Sequence, residues 1–200
     1  MAAPIDFYFD FTSPYGYLAA ERIDALAAKH GREVNWHAIL LGFIFKQTGQ
    51  VPPMNIPLKG EYVIHDMKRS ARFLDVPIKF PSEFPKMTIA AARGFYWLKD
   101  QDPALAKTFA QQVYRAYFVD DRDIASADVI ADVAQAVGVN REAFVTNVQS
   151  DAVKERFKSE SDKAIARKVF GSPYFIVDSE PFWGVDRFEQ LERWLKTGGF

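Results

Sequence analysis

Strand-type patterns occupy both ends of this 200-residue chain, and helix-type patterns fill the stretch between them. No other feature narrows the choice of fold as much. Residues 4–11, PIDFYFDF, alternate and are rich in aromatics, which reads as a strand. The run stops at Thr12-Ser13-Pro14. Pro14 suits the first turn of a helix, where a missing N–H removes no bond. Apolar side chains at Tyr17, Leu18, Ile23, Leu26 and Ala27 then predict a helix over 14–30, with Gly31 as terminator. Residues 33–40, EVNWHAIL, read as a second strand. The opening is therefore β-α-β, which favours a parallel strand pair.

The following stretch, LGFIFKQTGQVPPMNIPLKGEY, is rich in Gly and Pro and reads as a loop that leaves this unit. Helical spacing then holds from residue 60 to residue 170, interrupted by a loop with Pro77, Pro81 and Pro85. Helices are predicted over 88–99, 103–118, 140–148 and 150–170. A further helix over 126–137 carries Ser126 as N-cap and Gly138 beyond its end. Strands return at PYFIVD (173–178) and FWG (182–184), joined by SEP as a hairpin. Residues 186–196 close the pattern as an amphipathic helix, with Asp186 as its expected N-cap.

The order β-α-β, helical block, β-β-α predicts an α/β thioredoxin-like fold, a four-stranded mixed sheet with a large all-helical insertion. The expected division is a discontinuous thioredoxin-like domain of residues 1–45 and 171–200, with residues 46–170 as the helical insertion.

Net charge is -1, and no long run of like charge offers a surface for nucleic acid or an anionic membrane. No segment carries about 18 consecutive apolar residues, and no signal-peptide pattern opens the chain, so a cytoplasmic protein is expected. His30, His37 and His65 are widely spaced and lack metal-ligand spacing. There are no cysteines, which excludes disulfide exchange, thiolate metal sites and a cysteine nucleophile. Phe is abundant, at 18 residues, and some of it is expected to line an apolar pocket.

In a thioredoxin arrangement the first strand-to-helix corner is where a redox C-x-x-C sits. Here those positions read Ser13-Pro14-Tyr15-Gly16. Ser13 is a good helix cap. Its hydroxyl is also a donor that can hydrogen-bond the sulfur anion of a bound thiol and lower that thiol's pKa. In GSPYF, Pro173 opens a strand, and in such folds the Ser172-Pro173 bond is expected to be cis and to face the active corner. A serine hydrolase is disfavoured, because Ser13 lies in no G-x-S-x-G elbow.

FDFTSPYGYLA, PLKGEYVIHDMKR, KVFGSP and FWGVDR together resemble the 2-hydroxychromene-2-carboxylate isomerase and kappa-class glutathione transferase family, which has a DsbA-type thioredoxin fold. The resemblance covers essentially the whole chain. It implies glutathione as cofactor, with Ser13 as the catalytic residue at its sulfur. Ser172 and Pro173 would meet the cysteinyl part, Trp183, Gly184, Val185 and Asp186 the γ-glutamyl end, and Lys59 the glycyl carboxylate side. Asn55 is implied near the substrate or sulfur, with Phe45, Ile56 and Phe84 on the substrate side. A homodimer is also implied. Two departures stand out. The 43–56 loop offers Phe43, Phe45, Val51, Met54 and Ile56 with Lys46 as its only cation, and Phe84 stands where a substrate-facing tyrosine is expected. Such a loop fits a neutral or hydrophobic aromatic substrate.

The leading expectation is thus a glutathione-dependent isomerase acting on an aromatic-catabolism intermediate by reversible thiolate addition. The alternatives are a kappa-like transferase that conjugates an electrophile, and a non-catalytic thioredoxin-fold binding module.

Overall fold

A computed structural model describes residues 3–200 of the chain. Strand β1 spans Ile5–Phe9 and is followed by helices α1 (Pro14–Ala20) and α2 (Ile23–Lys29), then by strand β2 (Val34–Ala38). The helical stretch comprises α3 (Leu41–Thr48), α4 (Lys59–Phe73), α5 (Ile89–Lys99), α6 (Pro103–Phe118), α7 (Ala127–Ala136), α8 (Arg141–Val148) and α9 (Asp151–Ala166). Strands β3 (Tyr174–Val177) and β4 (Glu180–Trp183) then form the hairpin, and α10 (Phe188–Thr197) follows.

Among the described residues the sheet order is β2-β1-β3-β4. β1 and β2 run parallel with Phe7 opposite Trp36, and β1 and β3 run antiparallel with Phe7 opposite Phe175. Because strand side chains alternate, Ile5, Phe7 and Phe9 share one face while Asp6 and Tyr8 share the other. The first face carries the main core. Phe9 meets Phe11, Trp36 and Phe95 edge-on at 5.2 to 5.4 Å, and Phe7 stacks on Phe175 at 5.3 Å. These rings join Phe109, Tyr114 and Phe118 of α6 in a single buried cluster. Each fully buried Phe contributes roughly 1.5–3 kcal/mol. Much of the Phe excess is therefore core, although Phe43 is 50% exposed.

Two local expectations need correction. The 14–30 helix is interrupted, since α1 ends at Ala20 and α2 begins at Ile23. No Pro or Gly marks this break. Tertiary ion pairs hold its two sides, Glu21 with Arg115 at 2.9 Å and Asp24 with Lys107 at 2.7 Å. The segment after β2 is also not all loop. Leu41–Thr48 is helical, because Leu40, Leu41, Ile44 and Phe45 keep helical spacing and Gly42 alone does not break it. Gly49, at φ 70°, ends it. The Ser126 cap is present, accepting from the Val129 N–H, and Gly138 adopts φ 90°.

The second face of the sheet carries a polar network that the spacing of histidines did not foretell. His37 Nε2 lies 2.8 Å from Asp6 Oδ1, and His37 Nδ1 lies 3.5 Å from Glu160 Oε2 on α9. Tyr8 stacks on the His37 ring at 4.6 Å, and Arg167 donates to both Asp6 and Tyr8 at 2.7 Å. Burial pushes the Asp6 carboxyl up, but the bonds and charge of His37 and Arg167 outweigh it and hold the group at about 2. His37 first, then Lys163 and Arg156, hold Glu160 well below the usual carboxylate range against its burial.

Candidate functional site

Ser13 sits at the corner between β1 and α1 and is 5% exposed. Its Oγ accepts from the Gly16 N–H at 3.0 Å, which is the expected N-cap bond. The same hydroxyl donates to the carbonyl oxygen of Ser172 at 2.8 Å. The corner thus already faces the strand opening at Pro173, and the Ser172-Pro173 bond is cis. Ser172 Oγ in turn accepts from the Asp10 N–H at 2.9 Å. The Ser172 N–H has no acceptor among the described residues.

This close approach depends on Gly16. A Cβ there would lie 2.6 Å from Ser172 Oγ and 2.8 Å from the Tyr114 hydroxyl, both closer than van der Waals contact allows. The position that would hold the second cysteine of a redox pair is therefore the gap through which the two serines meet.

The hairpin brings its own segment to the same place. Trp183 pairs with Tyr174, and the Gly184 N–H donates to the Pro173 carbonyl at 3.1 Å. Trp183 packs over Gly171 and meets Phe170 edge-on at 5.0 Å. Gly184 has φ 112°, a conformation that side chains strongly disfavour, and the Asp186 carboxylate lies directly against it. Val185 is buried in the core, whereas Asp186 is exposed and 3.4 Å from Arg187. Asp186 does not cap the last helix as expected. It lies in a short 3-10 turn, Val185–Arg187, and makes no capping bond; α10 begins at Phe188.

Ser13, Ser172, Pro173, Trp183, Gly184 and Asp186 are thus linked by consecutive contacts. The remaining sequence-predicted residues are not bonded to this group. Lys59 opens α4 and is exposed, as is Asn55 in the 3-10 turn Pro53–Asn55, while Ile56 is half-buried. α4 is tied to the corner further along, where the Tyr15 hydroxyl donates to Asp66 Oδ2 at 2.7 Å and Arg69 also pairs with Asp66. Lys59 lies seven residues before Asp66, about 10 Å along the helix axis. Burial first, then Asp66, pushes the Tyr15 phenol up, so it stays protonated as the donor. Phe45 is half-buried on α3. Phe84 stacks on Tyr117 of α6 at 6.3 Å and meets Phe80 at 5.2 Å. The loop that carries it is pinned to α1 by the Tyr17 hydroxyl, which donates to the Pro77 carbonyl at 3.0 Å.

Asp10 is the residue that the sequence reading missed. Its carboxylate accepts from Thr12 N and Thr12 Oγ1, both at 2.7 Å, and from Leu41 N at 2.6 Å. Its carbonyl accepts from Ser13 N and the Tyr114 hydroxyl, both at 2.9 Å. Burial pushes its carboxyl up, against the bonds from Thr12 and Leu41. An Asp two residues before a Thr is a local turn signal that could have flagged it.

A profile of the DSBA-like thioredoxin domain matches residues 4–196. The chain belongs to this family. Within it, the chain is 34% identical over 192 residues to a 2-hydroxychromene-2-carboxylate isomerase of Pseudomonas sp. (strain C18), covering 94% of this chain and 88% of that protein. It is 29% identical over 199 residues to glutathione S-transferase kappa 1 of Caenorhabditis elegans, with the same two coverages. A solved 2-hydroxychromene-2-carboxylate isomerase superposes with a TM-score of 0.87 at 30% identity, covering 96% of this chain and 94% of that one. The thioredoxin-like fold expected from the order of elements, of the DsbA type that the resemblance implied, is therefore the fold of this chain, and the relatives named here are isomerases and a glutathione transferase. Among the described residues no helix is long and apolar enough to cross a membrane.

Proposed function

We propose that this chain is a glutathione-dependent isomerase of the 2-hydroxychromene-2-carboxylate type. The observation that carries the reading is the Ser13 hydroxyl, set at a cysteine-free corner and aimed across a 2.8 Å hydrogen bond at the residue before Pro173. The relatives that share both the fold and about a third of the residues support it.

The donor set fits glutathione, which brings two carboxylates, one ammonium and a thiol. Lys59 is an exposed cation for one carboxylate. Asp186 is an exposed anion for the ammonium, and the first N–H groups of the turn at Val185–Arg187 have no partner inside it and suit the adjacent carboxylate. The Ser172 N–H and C=O can pair with the cysteinyl backbone as a short added strand.

When bound, glutathione supplies a thiolate that adds reversibly to a conjugated C=C, so that the bond can turn before the thiolate leaves. Ser13 turns its hydroxyl from the Ser172 carbonyl to the sulfur and stabilises its anionic form, a charge-assisted bond that contributes about 1.5–3 kcal/mol. Gly16 N keeps the Ser13 oxygen in place during that turn, because it bonds the oxygen and not the proton. Phe45, Ile56 and Phe84 would supply apolar contact to an aromatic substrate, with Asn55 as a polar neighbour. The glutathione is not consumed.

Turnover of 2-hydroxychromene-2-carboxylate with catalytic glutathione tests this directly. Isomer formed with full recovery of the free thiol supports the reading. A stable thioether formed with a chlorinated aromatic electrophile, and no isomerisation, would replace it with a kappa-like transferase.

A further inference from the structure

Asp10 belongs to no part of the proposed chemistry, yet several segments of the site meet on it. It is 3% exposed, and no cation pairs with its carboxylate among the described residues. A buried carboxylate without a counter-charge is costly to keep and is retained only where its bonds matter.

Those bonds join two segments. One carboxylate oxygen holds Thr12 through both its N–H and its hydroxyl, directly before Ser13. The other holds the N–H of Leu41, the first residue of α3. α3 has no cap of its own, because Leu40 precedes it and offers no side-chain acceptor. Its cap is Asp10, 31 residues earlier in the chain. A carboxylate at a helix N-terminus satisfies an orphan N–H and complements the helix dipole. Since the two oxygens belong to one planar group, a shift of α3 that keeps its bond to Asp10 also moves the oxygen that holds Thr12.

We propose that Asp10 is a positioning residue that holds α3, and with it Phe45 on the substrate side, in fixed relation to the Ser13 corner. Its catalytic consequence rests on the glutathione-dependent reading above; its mechanical part does not. An Asn at this position would keep one acceptor for Thr12 but turn an NH2 group toward the Leu41 N–H, donor against donor. Asp10→Asn therefore cuts the link to α3 while sparing the corner. Leu41→Pro cuts the same link from the other end. Position 41 is the first helical residue, where proline is tolerated, and Leu40 has φ −117° and ψ 108°, as the residue before a proline prefers.

Hydrogen exchange on the full chain reads the mechanical part. In both variants the amides of α3 should lose about tenfold or more of their protection, while those of residues 12–20 stay within about twofold. Kinetics reads the catalytic part. In Asp10→Asn the KM for 2-hydroxychromene-2-carboxylate should rise about tenfold, while glutathione affinity by calorimetry changes by less than about twofold. Equal loss of protection in both segments, or no loss in α3, overturns the proposal. So does a KM that moves only in step with glutathione affinity. If the wild-type protein turns over none of this probe, the 2-hydroxychromene-2-carboxylate reading fails, and the exchange pattern alone decides for or against Asp10.

Discussion

The Ser13 hydroxyl donates to the Ser172 carbonyl oxygen at 2.8 Å, a contact that spans 159 residues of chain. One hydroxyl proton cannot serve two acceptors fully. Without a thiol the bond closes the corner, and with a thiolate the proton has a stronger acceptor to turn to. Ser13 is also the N-cap of α1, so its two roles must be separated experimentally. Ser13→Ala should lower kcat about 10- to 100-fold, as expected for one charge-assisted bond, and destabilise the fold by about 1 kcal/mol through the lost cap. Ser13→Gly should lower kcat as much but lose only a few tenths of a kcal/mol, because Gly is tolerated at N-caps. Steady-state rates beside denaturant melts check both.

Gly16 is where the corner is most crowded. A methyl group would meet Ser172 Oγ, the Tyr114 hydroxyl and Ser13 Cβ within 3.1 Å. None of these can retreat without breaking a bond to Asp10 or to the cap. Gly16→Ala should therefore cost roughly 1–3 kcal/mol as overpacking, although Ala is the better helix former. Equilibrium unfolding in urea, with an unchanged slope, would report it.

Asp186 makes no helix cap, and its exposed carboxylate, paired at 3.4 Å with Arg187, can reach a ligand. Asp186→Asn should weaken glutathione binding about tenfold, the effect of one charge-assisted contact. An analogue of glutathione that lacks the amino group should bind wild type and variant with equal affinity. Calorimetry on the four pairs measures the coupling.

How far this site could be read from the chain depended on the range of its contacts. Ser126 as a cap and Gly138 beyond its helix are settled by neighbours a few residues apart, and both stand as expected. So does the facing of Ser13 and Ser172, because the order of elements brings those ends together. The PYFIVD hairpin is present too, but it turns at Asp178-Ser179, with Glu180 and Pro181 already paired in β4 and not in the expected SEP turn. Asp10 capping α3 over 31 residues, and His37 meeting Glu160 from another helix, depend on tertiary placement that no local pattern carries. The break at Glu21-Arg22 is flanked by pairs to Arg115 and Lys107, residues likewise distant in the chain. Leu41–Thr48 was hidden because the Gly and Pro content of the whole stretch masked a short helix within it.

The network behind the sheet predicts acid sensitivity. Asp6 is held at about 2, against 3.8 unperturbed, and Glu160 is also depressed. For carboxylates held down in the fold, the contribution is full above the unfolded value and is lost as pH falls through the folded one. Stability should therefore drop between about pH 4 and pH 2, and Asp6→Asn should flatten that drop. Thermal melts across the acid range, on wild type and variant, check the slope.

The central claim is that Ser13 serves a borrowed thiolate. A crystal of this protein soaked with glutathione tests it most directly. The sulfur should lie within hydrogen-bond distance of Ser13 Oγ, with the hydroxyl turned away from the Ser172 carbonyl and the peptide paired along Ser172. Glutathione bound elsewhere, or bound with the Ser13–Ser172 bond intact and the sulfur out of reach, would contradict it.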